Sequence, residues 1–544
     1  MQAARLVGGA GTGKTTEILR LMEGSRTRYG GNPLAIGFSS LTRAARATAV
    51  SRASQAWGVE PEYLEKLGWF RTCHSVAYRQ LGVRRAEIIG SDSKESAKWV
   101  AAALKVAVTA VLDDDTGRTR YAGEGYAGTA LDLWDLARSR LEPLKEVIVR
   151  AARFGDDVPP FAVCKQYIER YESAKRVDGR VDYADLLTRY AGIHSTVDGH
   201  EEVEPEGALP AGVKVWYLDE MQDASALVDR LCRRLASGPE VEHVYLAGDP
   251  MQAIFAFGGS DWRYFMRWPV QKERVMEKTW RCPSPILSLG ERCLTRMRKG
   301  YWDRGIAPAD HEGSVERGGY RDAVVARLDP LASTLVLARC KHTLEAWETA
   351  LQKRRVPYLM LCEQAATVRH RACESLWALE NGKAVSAEDF ACAVKWLPYP
   401  GNMIRGTKAL WEKRETIEQW DAIRPEDLPH VGFKAEFAAK LLAGGWGEMF
   451  HKASKWRDTA KQYGPEIASN PPIRLSTIHA AKGMEADTVV LSTSLTRRVH
   501  ASQAVDSEIH DEERRVEYVG VTRARRRLVI ATDHEAEYRM SLPL

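Results

Sequence analysis

The chain has 544 residues, too many for one hydrophobic core, and this length argues for roughly three or four domains. Apolar residues make up 44% and the formal net charge is +5, which excludes an intrinsically disordered chain and leaves any basic binding surface to local patches. Nine cysteines, at 73, 164, 232, 282, 293, 340, 362, 373 and 392, form no C-x-x-C pair, which excludes a disulfide framework and a zinc knuckle and points to a reducing, cytoplasmic setting.

The first predicted element is a strand over residues 3–7, so close to Met1 that no signal peptide is expected before it. It runs into Gly8-Gly9-Ala10-Gly11-Thr12-Gly13-Lys14-Thr15, which fits G-x-x-x-x-G-K-[ST], and a helix is expected to follow over 16–22. In that context glycines let backbone N–H groups crowd around phosphate oxygens, and the helix N-terminus adds the positive end of its dipole. Lys14 is placed to reach the terminal phosphates and Thr15 to offer its hydroxyl to Mg2+. The expected ligand is a nucleoside triphosphate.

Residues 34–38 read as the next strand. Alanine-rich runs at 94–111 and 131–141 then predict a helical insertion across 91–175, and the acidic, Pro- and Gly-bearing segment 200–207 reads as a solvated loop. A strand over 213–218 delivers Asp219-Glu220-Met221-Gln222-Asp223. Carboxylates there suit nucleotide hydrolysis, with Asp219 holding Mg2+ through water and Glu220 polarising the attacking water. An acidic helix cap is the plainer reading of such a pair, but the position after a strand, downstream of a phosphate loop, favours the site. A further strand over 241–246 leads into Gly248-Asp249-Pro250-Met251-Gln252, with Gln252 a candidate γ-phosphate sensor. Phe255 and Phe257 beyond it are either flat faces for bases or core aromatics.

A second set of strands is predicted at 333–338, 488–491 and 527–532. Between them, 362–470 reads as a second helical insertion, with tryptophans at 377, 396, 411, 420, 446 and 456 that are expected to fill its core. Strands alternating with helices in two places predict two α/β domains with parallel sheets. No apolar run reaches the length of a membrane span.

Taken in order from residue 8 to residue 527, these pieces resemble the superfamily 1 helicases of the UvrD/Rep/PcrA type. Phe38-Ser39-Ser40-Leu41-Thr42-Arg43-Ala44-Ala45 and Thr72-Cys73-His74-Ser75 are similar to the family's strand-contacting motifs. Asp182-Tyr183-Ala184-Asp185-Leu186-Leu187 resembles D-F-x-D-L-L, and Asp219 to Asp223 matches D-E-x-Q-D. Lys278-Thr279-Trp280-Arg281-Cys282-Pro283 resembles the N-Y-R-S segment. Residues 475–485 are nearly T-I-H-x-x-K-G-x-E throughout, and Glu513-Arg514-Arg515 with 518–524 matches E-R-R-L-x-Y-V-x-x-T-R-A.

The resemblance implies two RecA-like P-loop NTPase motor domains, each interrupted by a mainly helical insertion. The first motor would span 1–90 and 176–277, with its insertion at 91–175; the second would span 278–361 and 471–544, with its insertion at 362–470. ATP would lie in a cleft between them, held by Gly8, Gly9, Ala10, Gly11, Thr12, Gly13, Lys14, Thr15 and Thr16. Trp280 would stack on adenine and Glu485 would reach the ribose. Arg281 and Arg523 would act as arginine fingers from the second motor, beside the catalytic Lys14, Asp219, Glu220 and Gln252. Mg2+ would sit at Thr15 and Asp219. Phe38, Thr72, His74, Phe255, Phe257, Thr477 and His479 would contact the nucleic acid strand.

The activity implied is an ATP-dependent DNA helicase that moves 3′ to 5′ on single-stranded DNA and separates tailed duplexes, with replication or repair proteins as partners, and placed in the cytoplasm, at the nucleoid of a bacterium or in the host cytoplasm for a virus. The family's Trp-Arg-Gly reads Phe257-Gly258-Gly259 here, so a cationic residue is replaced. Gln2 lies too near the phosphate loop to act as the family's adenine-contacting glutamine, and no nuclease domain is expected after the last strand. The second insertion is shorter than the family's. A DNA-stimulated ATPase that displaces bound proteins without efficient unwinding is the alternative reading, and RNA as the track stays open.

Overall fold

The structure, a computed structural model, describes residues 1–90, 93–112, 119–123, 125–153, 157–361, 364–398, 401–450, 452–533 and 536–544. Cys362 and the insertion boundaries expected at 91 and 362 lie outside the described residues. The chain divides into two compact units. One comprises Met1–Ser314, Thr496–Arg526 and Met540–Leu544; the other comprises Val315–Leu495 and Arg527–Arg539.

The first unit is built on six strands: β1 (Gln2–Val7), β2 (Ile36–Ser40), β3 (Trp69–Thr72), β4 (Val215–Asp219), β5 (His243–Gly248) and β6 (Lys272–Val275). Their order across the sheet is β6-β1-β5-β4-β2-β3, and every neighbouring pair is parallel. All of β2 and β4 is buried, as in parallel sheets covered on both faces, which is why these strands read as apolar runs. Trp216, Leu218, Val244 and Leu246 point into one core, whereas Phe38, Phe70 and Tyr217 point into the other. The register pairs Val7 with Gly248 and Leu218 with Leu246, so the carboxyl ends of β1, β4 and β5 are level. In open parallel sheets ligands bind at that edge.

Helix α1 (Lys14–Arg28) follows β1. The helical insertion includes α2 (Ala127–Arg140) and the helices Leu144–Arg153 and Phe161–Asp178, packed around Trp134, Leu144, Cys164 and Ile168. Two expectations are corrected here. The helix predicted over 94–111 stops at Leu104, because Lys105 takes a left-handed φ of 56°, and the β-branched stretch beyond it forms the strand Val108–Leu112, paired antiparallel with Thr119–Gly123. The segment read as a loop from 200 begins instead as the strand Gly199–Glu202, paired with Ile193–Thr196.

The second unit carries β7 (Ser314–Tyr320), β8 (Thr334–Ala338), β9 (Leu359–Met360), β10 (Ile473–Thr477), β11 (Ala486–Ser492) and β12 (Ala524–Thr532), ordered β7-β12-β11-β8-β10-β9. β8 runs parallel to β10 and β11, and β9 parallel to β10. The inserted helices have their own core, in which Trp411, Trp446 and Trp456 are buried and Trp377, Trp396 and Trp420 pack against it. The tryptophans fill space, as their spacing suggested. The fold is therefore α/β with two such sheets, each interrupted by helical insertions. Every described cysteine is a free thiol, and no described helix is long and apolar enough to cross a membrane.

Candidate active site

The phosphate-loop segment is anchored where β1 and β5 end, by the Gly8 N–H donating to the Gly248 carbonyl (3.1 Å). Gly11 has φ +69°, and a Cβ there would collide with the Arg281 Cβ and lie 2.9 Å from Thr279 Oγ1, so both conformation and close approach demand glycine. The Thr12 hydroxyl donates to the Gly9 carbonyl (3.1 Å), closing the loop on itself. Lys14 opens α1, and its Nζ lies 3.1 Å from Glu220 Oε1. Burial alone would depress this lysine. The carboxylates of Glu220, Asp219 and Asp249 outweigh that and raise its pKa, so the ammonium stays charged inside the site.

Asp219 ends β4, 4% exposed, with Oδ1 accepting the Glu220 N–H (2.9 Å). Glu220 has a left-handed φ of 58°, a strained conformation for a residue with a side chain, and it makes the ion pair to Lys14. Gln222, wholly buried, links this turn to the next strand: its Oε1 accepts the Asp249 N–H (3.0 Å) and its Nε2 donates to Glu220 Oε2 (2.5 Å) and Asp223 Oδ2 (3.1 Å). Asp249 in turn accepts the Met251 N–H (3.1 Å) and Gln252 Nε2 (2.7 Å).

Beneath the loop lies a residue that sequence reasoning missed. Arg304 is wholly buried; its Nη1 reaches both Asp249 oxygens (2.7 and 2.6 Å) and its Nη2 donates to Glu291 Oε1 (2.7 Å). Its guanidinium lies 5.1 Å from the Tyr518 ring centroid, and the Tyr518 hydroxyl accepts the Ala10 N–H (3.4 Å). The Arg304–Asp249 pair joins residues 55 apart and the Tyr518–Ala10 bond residues 508 apart, so no local pattern announces either.

The strand Lys278–Pro283 runs along the same loop: the Trp280 N–H donates to the Gly11 carbonyl (2.8 Å) and the Thr279 hydroxyl to the Ala10 carbonyl (2.7 Å). Trp280 is 64% exposed beside Gly13, with Lys278 Nζ 4.9 Å from its ring centroid. After this strand, α3 (Ser284–Leu294) packs against α4 (Ser507–Val521). Beyond α4, the Thr522 carbonyl accepts from Arg281 Nη1 (3.4 Å), and buried Arg523 donates to the Val519 carbonyl (2.9 Å) and to Gln252 Oε1 (3.3 Å). Burial first, then Arg281, push the Arg523 guanidinium down to about 9, so an anion placed beside these like charges would be welcomed. Segments 278–314 and 496–526 group with the phosphate loop in the first compact unit.

Other predicted residues lie as follows. Thr15 is half-buried and Thr16 exposed in the first turn of α1. Phe38 is 2% exposed and stacks on Phe70 with centroids 5.8 Å apart, a core position in a doubly covered strand. Thr72 caps the helix Cys73–Leu81 by accepting the Ser75 N–H (3.3 Å), and His74 meets Tyr183 edge-on at 6.2 Å. Phe255 and Phe257 lie 5.9 Å apart with Phe257 exposed. In the second unit Thr477 accepts the Ala480 N–H (3.1 Å); Thr477 and His479 are 2% and 3% exposed, so neither presents its side chain to a strand here, whereas Glu485 is exposed.

One acidic cluster outside this site, Glu172, Asp182 and Asp185, already has its cation: Lys175 Nζ stands 2.9, 3.0 and 2.8 Å from the three carboxylates.

A glycine-built phosphate loop, a charged lysine facing a strand-end acid, and buried arginines beside them define a P-loop nucleotidase. Residues 2–271 match the UvrD/REP helicase N-terminal domain and residues 460–535 the UvrD-like helicase C-terminal domain. The chain belongs to the UvrD/Rep helicases of superfamily 1, enzymes that use ATP and act on DNA. Among curated relatives, the ATP-dependent DNA helicase UvrD2 of Mycobacterium tuberculosis and that of Mycobacterium bovis are each 27% identical over 580 aligned residues, covering 97% of this chain and 76% of theirs. The RecBCD enzyme subunit RecB of Mycolicibacterium smegmatis is 27% identical over 181 residues, 33% of this chain and 16% of its own.

Proposed function

We propose that this protein is a motor that hydrolyses Mg-ATP at the Lys14–Glu220 site and moves 3′ to 5′ along single-stranded DNA, separating duplex ahead of it. The observation that carries the reading is the joining of the phosphate loop, the Asp219–Glu220 turn, Gln252, Arg281 and Arg523 by direct contacts in one unit. Lys14 binds the terminal phosphates in exchange for its pairing with Glu220. Glu220, so released, orients water and accepts its proton. Arg281 and Arg523 stabilise charge on the transferring group, and Gln252, bonded to Arg523, reports the change to the loop that bears Phe255 and Phe257. Trp280 offers an exposed face to the base.

For Mg2+ the donor set fits: a hydroxyl at Thr15 and a carboxylate at Asp219 are hard oxygen ligands of the kind that ion takes. When bound, Mg2+ would supply positive charge that offsets the phosphates' negative charge. The division into two motor domains, each with a helical insertion, is part of the same proposal. ATP hydrolysis by the purified protein, measured with and without single-stranded DNA, tests it. A large stimulation by DNA is expected; turnover indifferent to DNA contradicts the reading.

A further inference from the structure

The loop that carries Phe255 and Phe257 is gripped at a single residue, Ala256, through the peptide groups on either side of it. The Ala256 N–H donates to Glu512 Oε1 (2.8 Å) on α4, and the Ala256 carbonyl accepts from Arg140 Nη2 (2.8 Å), the last residue of α2. Alongside, the Ser139 hydroxyl donates to the Gly258 carbonyl (3.3 Å). Gly259 makes this approach possible: its φ is +91°, and a Cβ there would lie 2.8 Å from Ser139 Oγ and 3.3 Å from Arg140 Cγ. Arg140 and Glu512 are both half-buried. Burial and Arg150 lower the Arg140 pKa, and Glu512 is among the acids that oppose that shift.

The two holders come from elements with different duties. Glu512 lies near the start of the helix that ends just before Arg523, so it moves with an arginine of the nucleotide site. Arg140 closes the helix that forms the core of the insertion, so it moves with that body. The loop itself has glycine at 258, where the helicase pattern carries a cation, and Arg140 brings a guanidinium to the same turn from outside.

We propose that Arg140 and Glu512 are positioning residues that hold the two peptide groups flanking the Ala256 Cα, fixing Phe255 and Phe257 against single-stranded DNA and coupling them to the Arg523 helix. The proposal rests on the reading of those phenylalanines as strand contacts. A displacement of α4 pulls on the Phe255–Ala256 peptide group through a single hydrogen bond while the insertion holds the Ala256–Phe257 group. The aromatic pair therefore tilts rather than drifting with either body.

The test is ATP turnover of the full chain as a function of oligo-dT concentration. Arg140→Met and Glu512→Met keep the packed stems and remove the hydrogen bonds. Each should raise the DNA concentration giving half-maximal stimulation about tenfold, the scale of one lost base stack, leaving DNA-free turnover and the KM for ATP unchanged. Arg140→Lys and Glu512→Gln, which keep a donor and an acceptor, should restore most of the DNA response. The double Met variant should be no worse than the more damaged single, because both side chains act on one residue, Ala256. Wild-type DNA response in both Met variants, alongside a weakened response in Phe257→Ala, overturns the proposal; an equal fall in turnover with and without DNA assigns a merely structural role and also overturns it. A normal response in Phe257→Ala instead removes the strand-contact reading beneath it.

Discussion

Replacing Arg304 by methionine removes one charge from a pair in which both side chains are wholly buried. Asp249 would keep the Met251 N–H and Gln252 Nε2 but lose both bonds to Arg304 Nη1 (2.7 and 2.6 Å), leaving it without its ion-pair partner beneath the phosphate loop. Glu291 would lose its 2.7 Å partner as well. Burial works against the guanidinium, yet Asp249 holds its pKa above the ordinary arginine value, so the pair is ionic and not a neutral hydrogen bond. Removing one member of such a pair costs about 3–5 kcal/mol, against about 0–1 kcal/mol for an exposed pair. Asp249→Asn combined with Arg304→Met removes both charges and should recover about 2 kcal/mol or more of that loss as a coupling energy. The assay is denaturant unfolding of the first unit, followed by tryptophan fluorescence, with amide exchange at residues 8–13 as a local readout. A single variant destabilised by less than about 1 kcal/mol, or a double variant showing simple additivity, would refute the argument that Arg304 neutralises Asp249.

Three further outcomes are expected. Burial, outweighing Arg514 and Arg296, pushes Glu517 up to about 7 from an ordinary value of 4.5; a raised carboxyl gives stability that is present below pH 4.5 and lost as pH rises through 7, so Glu517→Gln should flatten the fall in stability between pH 5 and 8 by about 3 kcal/mol at most, read from unfolding midpoints across that range. Arg523→Ala should bind ATP normally yet lose about a thousandfold in hydrolysis, measured by nucleotide binding and single-turnover rates; normal hydrolysis would take Arg523 out of the site. Trp280→Ala should raise the KM for ATP about tenfold with kcat little changed, because an exposed stacking face binds ground and transition states alike.

How much of this was legible in the sequence depended on whether the deciding contacts were local. The phosphate loop, the Asp219–Glu220 turn and the apolar strands at 36–40, 215–219 and 243–248 announced themselves, because glycine placement and doubly buried parallel strands leave marks within a few residues. Phe38 was legible as a motif position, whereas its burial in a doubly covered strand was not. The helix expected over 94–111 failed at Lys105, where one left-handed residue hands the chain to a hairpin. Gln222 was visible as part of D-E-x-Q-D, but its bridging of two strand ends was not. Arg304, Arg140 and Glu512 act across 55 to 256 residues, and no periodicity within their own segments marks them; Tyr518 stood in the E-R-R motif, but its bond to Ala10, 508 residues away, did not show.

ATP turnover at the Lys14–Glu220 site is proposed to drive directional movement on DNA. Its most direct measurement is unwinding by the purified protein of two duplexes that differ only in the polarity of the single-stranded tail, with ATP and Mg2+ supplied and Lys14→Ala as the inactive control. Separation of the 3′-tailed duplex, little of the 5′-tailed one and none with Lys14→Ala is the predicted result. Unwinding from the 5′ tail alone, or activity surviving in Lys14→Ala, would contradict it.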